Sequence, residues 1–182
     1  MEEAVSDKIN IFLAVDRQTI NNYFNSHDPG PIYKRQLSHH LEQYIQTSAA
    51  SAKRYSAMFY KFKCISEIDK QFALPLVYAI RRHYQWKKEL REKEFKKFKK
   101  RSWLLLGISL LVVLICQGFV PMMLDETNRF HTAFGNSLDI FSWVLLWRPI
   151  DLLLFYWNPH LKDISVLHKL ATAELIIIEN EK

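Results

Sequence analysis

Glycine is scarce, with four in 182 residues, and no G-x-x-x-x-G-K-[ST], G-x-G-x-x-G, G-x-S-x-G or H-E-x-x-H motif occurs. The chain therefore has little capacity for a phosphate-cradling loop and carries no familiar nucleophile or zinc signature. Cysteine is scarcer still: Cys64 falls in a polar region and Cys116 inside an apolar run. The two are expected in different phases, which argues against a disulfide framework. His39 and His40 are adjacent, so on a helix their side chains diverge by about 100°, and no His or Cys follows at helical spacing to complete a metal site. No metal and no cofactor are expected. The acidic start, MEEAVSDK, is not followed by a long apolar core, so a cleavable signal peptide is not expected either.

What the chain has in quantity is apolar sequence, 49% of residues, and one dense block of positive charge. Residues 81–101 (RRHYQWKKELREKEFKKFKKR) hold 11 Lys/Arg against 3 Glu, a surplus of eight, so the remainder of the chain carries −2 of the formal +6. Basicity this local is poor support for nucleic-acid binding, and none is expected. The block ends where Trp103 to Leu124 begins, 22 residues without a charge. At ~1.5 Å per residue these reach ~33 Å, enough for a ~30 Å hydrocarbon core. A second apolar stretch, Leu138 to Trp157, carries Asp139 near one end and Arg148, Pro149 and Asp151 past its middle. It reads as a second span, with a re-entrant or interfacial helix broken at Pro149 as the alternative. The connecting segment 125–137 is short and slightly acidic, so the positive-inside rule places it outside and both termini in the cytoplasm. Plasma membrane of a bacterial inner-membrane type is the expected location. Trp103, Tyr156 and Trp157 would form the inner aromatic belt.

Residues 1–102 read as a small cytoplasmic α+β domain. Ile11 to Val15 has strand length, Asn25 to Pro31 (NSHDPGP) is a turn, and Ser38 is placed to cap a helix bearing Leu37, Leu41, Tyr44 and Ile45 at helical spacing. Ser56 to Cys64 alternates as a half-buried strand. A helix starting near Gln71 or Pro75 meets no strong breaker before it enters the first apolar stretch. In the tail, 158–182, Pro159 marks the exit from the span. A short helix over Ile164 to Ala171 precedes a β-branched strand at Glu174 to Ile178, expected to return to the N-terminal sheet. The expected fold class is thus an α+β membrane protein: cytoplasmic domain 1–102, spans 103–124 and 138–157, external loop 125–137, and tail 158–182 closing the domain.

Two segments carry a resemblance. DPGPIYKRQLSHHLEQYI, with Asp28, Pro29, Pro31, Arg35, Leu37, Glu42, Tyr44 and Ile45, and WVLLWRPIDLLLFYWNP resemble the Asp-Pro-x-Pro and Trp-Arg-Pro segments of an uncharacterised family of small bacterial membrane proteins. Around Gln36, Ser38, His39 and His40 the chain departs from that pattern, which holds several carboxylates there. The resemblance implies a topology and no reaction.

Candidate site residues follow from the spans. Arg148 and Asp151, three apart on a helix, share a face and can pair, extended by Val144 and Phe155. An isolated central charge costs ~2.5–3.5 kcal/mol on insertion scales, so the pair is expected to face the hairpin partner or a second subunit. At matching depth the first span offers Gly107, Ser109 and Val112 for helix–helix contact, together with Val144 on the second. Lys96, Lys97, Lys99, Lys100 and Arg101 are placed to contact anionic lipid headgroups. These features favour a non-enzymatic membrane interaction or assembly protein, as a homo-oligomer or with a membrane protein partner. A small transport or channel component using Arg148 and Asp151, and a membrane enzyme acting on lipid, remain alternatives.

Overall fold

A computed structural model describes residues 8–51, 56–64, 67–119, 122 and 129–179. The end of the first apolar stretch and residues 125–128 of the connecting segment lie outside the described residues. The chain forms two compact units, one of residues 1–91 together with 162–182, the other of Glu92–Leu161.

The first unit is built on a three-stranded sheet of β1 (Ile9–Val15), β2 (Met58–Cys64) and β3 (Glu174–Glu179), in the order β1-β2-β3. Both pairings are parallel, with Leu13 opposite Phe62 and Phe62 opposite Ile177. Parallel neighbours cannot be joined by a tight turn, so each connection must be a crossover. Helix α1 (His39–Ala49) lies in the first crossover. The second contains α2 (Lys70–Leu114), α3 (Arg129–Leu154) and α4 (Trp157–Thr172), so the whole second unit is inserted between β2 and β3.

The sequence pattern explains the core. β2 alternates with Met58, Tyr60, Phe62 and Cys64 buried, and β1 turns Ile11, Leu13 and Val15 to the same side. α1 contributes Leu41, Ile45 and Ala49, and its start is fixed by Ser38, whose Oγ accepts the Leu41 N–H at 3.3 Å. Ala73, Leu76, Val77, Ile80 and Tyr84 form the buried stripe of α2, and α4 adds Leu170 and Ala171. Polar ties fix the last crossover: the buried Tyr60 hydroxyl donates to the Leu170 carbonyl at 2.8 Å, and Arg81 donates through Nε and a terminal nitrogen to the Ala173 carbonyl at 3.1 and 2.6 Å. The expected return of the C-terminal strand to the N-terminal sheet is observed in the β2–β3 pairing.

Helix boundaries depart from the sequence expectation in two places. The helix of the tail begins at Trp157 rather than Ile164, because Pro159 falls in its first turn, where a missing N–H costs nothing. α3 begins at Arg129, inside the segment 125–137 expected as a loop, and runs through Pro149 without ending. The break at Pro149 expected in the alternative reading is not observed.

Candidate functional site: the helix pair of the second unit

In the second unit α2 and α3 run antiparallel. Gln117 Nε2 donates to Asp139 at 3.4 Å at one end of the pair. At the other, Phe95 lies 5.8 Å from the Trp157 ring and Phe98 lies 5.3 Å from the His160 ring. α2 continues through a π-helical turn at Ile115–Phe119, and the helix over Glu67–Phe119 is long and apolar enough to cross a membrane. Among the described residues no second helix meets the same measure. In α3 the physical reason is charge: Asp139, Arg148 and Asp151 interrupt its apolar stretch.

The contact between the helices uses small and polar residues. Ser102, Ser109 and Val113 of α2 are buried, as are Ser142 and Pro149 of α3. Small side chains allow close backbone approach, the packing logic of helices in lipid. Beside this seam lies a cavity of about 300 Å³ lined by Val113, Gln117, Ser142, Trp143, Trp147 and Ile150, among others. Ser142 is 2% exposed, and its hydroxyl has no hydrogen-bond partner. A buried hydroxyl without a partner costs ~1–3 kcal/mol, a cost this seam carries at Ser142.

Arg148 and Asp151 stand elsewhere on α3. Their charged atoms are 3.8 Å apart, and the side chains are 69% and 28% exposed. Among the described residues the guanidinium is covered only on the side of Asp151. Of the expected contact residues, Ser109 is buried and Val112 half-buried, Val144 is exposed, and Gly107 is exposed with open space where a Cβ would stand. Lys96, Lys97, Lys99, Lys100 and Arg101 are exposed, and the Lys99 ammonium sits 5.2 Å from the centre of the Trp157 ring.

Sequence reasoning passed over Ser142, Gln117 and the two tryptophans. The available signal was the seven-residue spacing of Ser102 and Ser109, with Ser142 a further seven residues before Pro149, which marks one narrow face on each helix.

A second cluster lies in the first unit. The Glu42 carboxylate of α1 accepts from the Lys87 ammonium and approaches His83 Nε2 at 3.2 Å, both on α2. Burial pushes the Glu42 carboxyl upward, but the Lys87 ammonium and the hydrogen bonds from Lys87 and His83 outweigh it and hold it below its ordinary value. Burial lowers His83 below its ordinary value despite Glu42, so the ring is held neutral more strongly than in solvent. This arrangement clamps α1 to α2. Asp28, in the turn, accepts the Gln36 N–H at 2.7 Å and the Gly30 N–H at 2.9 Å, and Arg35 Nε donates to the Gly30 carbonyl at 3.0 Å. The Asp-Pro-Gly-Pro segment is thus organised by its own carboxylate as a turn. Among the described residues no group of three His, Cys, Asp or Glu is placed to hold a metal ion.

No family model matches the chain, and no curated protein or solved structure matches it.

Proposed function

We propose that this chain is an integral membrane protein that works by assembly, with α2 and α3 crossing the bilayer as a hairpin and both termini in the cytoplasm of a bacterial cell. The observation that carries the reading is the 69% exposure of Arg148 on a helix face that it shares with Asp151 and with apolar Val144. Counting back from Leu154, where α3 ends, the Arg148 backbone stands ~9 Å and Asp151 ~5 Å above the inner end of the helix. A charge at that depth is expensive in lipid, and the partly screened pair with Asp151 covers only one side of it. A second protein surface supplies the missing cover. The exposed lysines at 96, 97, 99 and 100 and Arg101 then lie at the cytoplasmic headgroups, each worth ~1 kcal/mol near an anionic surface. The resemblance to small bacterial membrane proteins points to the same topology.

Arg148→Leu and Arg148→Lys, purified in a mild detergent, test this reading by native mass. Wild type is expected as a discrete complex, Arg148→Leu is expected to fall apart or lose abundance, and Arg148→Lys is expected to retain part of the complex. A wild-type monomer indifferent to both changes would contradict assembly through this residue.

A further inference from the structure

The two uncovered features of α3 lie on different sides of it. At about 100° per residue, Ser142, Trp143, Leu146, Trp147 and Ile150 centre on one arc of the helix, and Val144, Arg148 and Asp151 on another roughly 140° away. The first arc is the cavity wall, which holds a buried hydroxyl lacking a partner, the Gln117 side chain and two indole rings. The second presents a guanidinium with five donors and little to donate to.

We infer that copies of this chain associate head-to-tail in the membrane, the Arg148 face of one α3 seating in the Gln117–Ser142–Trp147 groove of the next. This rests on the assembly reading above and names its partner and its geometry.

Three observations select a second copy as the occupant. Chemistry is complementary: the groove offers the exposed Gln117 side chain as a polar partner, and Trp143 and Trp147 as π faces, all suited to a guanidinium. Depth also agrees, because copies related by rotation about the bilayer normal keep equal heights, and Arg148 lies within the 142–150 stretch of α3 that lines the groove. Its backbone is ~9 Å below Ser142 along the axis, and helix side chains lean toward the N-terminal end, which is the direction of Ser142. A lipid acyl chain would fill the volume but has no donor for the Gln117 amide oxygen. Finally, a donor face and an acceptor groove on different sides of one helix cannot satisfy each other across a two-fold axis. The contact they define is heterologous, which closes as a ring where the rotation between copies permits.

The test uses full-length protein with Cys116→Ser, which removes the thiol next to Gln117, and two further variants. Val144→Cys marks the Arg148 face, and Leu146→Cys marks the groove. Each is oxidised in native membranes alone and after co-expression with the other, and the mass of the uncross-linked complex is measured in parallel. The inference predicts a cross-linked dimer in the mixed preparation and none in either variant alone. Cross-linking of Val144→Cys to itself, or a discrete complex with no cross-link in any preparation, would overturn the head-to-tail contact while leaving assembly intact. A monomer retaining lipid, or a complex whose mass includes a different protein, would overturn this contact and, in the monomer's case, the assembly reading as well.

Discussion

At the scale of single residues, the chain separates charges that are satisfied internally from charges that are not. Glu42 has Lys87 and His83 around it, and Asp28 has two backbone N–H groups. Among the described residues Arg148 has only Asp151, at 3.8 Å. The first group has a consequence for acid stability. His83 is held below its ordinary value of 6.5, so the folded state binds fewer protons than the unfolded one just below that pH. Its contribution to stability is whole above 6.5 and is lost as pH falls toward and through the depressed value. Glu42, held below its ordinary 4.5, adds a loss of the same sign at lower pH. Thermal unfolding of the detergent-solubilised protein is therefore expected to fall in midpoint between pH 7.5 and 5.5, and His83→Gln is expected to flatten that slope. An unchanged slope in the variant would remove His83 from the account. None of this clamp was legible in sequence, since Glu42 and Lys87 are 45 positions apart and only the packing of α1 against α2 makes them neighbours.

Elements were legible where period and chemistry agreed. Leu41 and Ile45 with Ser38 ahead of them read as a capped helix, and α1 is that helix; ELIII read as a strand, and β3 holds it. Strand direction was not legible, because alternation is the same for parallel and antiparallel pairing. The start of α3 was missed because Arg129 to Ser137 is polar and suggested a loop, although a polar helical turn costs nothing at the edge of a bilayer. The buried stripe of α2 gives the sharpest energetic expectation at this scale. Ile80 is fully buried among the sheet and helix residues of the core. Ile80→Ala removes three methyl or methylene carbons and leaves a cavity, which is expected to cost ~2–5 kcal/mol. A comparable cost for Tyr78→Ala, on the exposed side of the same helix, would mean that the stripe is misassigned.

For the molecule as a whole, the chain order is the informative feature. A crossover between two parallel strands needs only a dozen or so residues, usually a helix. Here the crossover from β2 to β3 carries α2, α3 and α4. β3 can join the sheet only after the chain has come back from the second unit. If α2 and α3 both cross a bilayer, the return to the same sheet requires an even number of crossings, which places both ends of the chain on one side. The positive-inside reading from residues 81–101 leads to the same arrangement by an independent route. The sheet topology therefore turns the question of topology into one about α3 alone, the helix with three charges in its apolar stretch.

That question is answered most directly by labelling with a membrane-impermeant thiol reagent in spheroplasts, on a Cys116→Ser background with Cys64 retained in the core. Asn136→Cys sits in α3 ahead of the apolar stretch, and Lys162→Cys sits in α4 after it; both native side chains are exposed. Asn136→Cys is expected to be labelled in intact spheroplasts and Lys162→Cys only after the membrane is permeabilised. Equal labelling of the two positions before permeabilisation, or protection of both until it, would show that α3 does not cross and would contradict the hairpin on which the assembly rests.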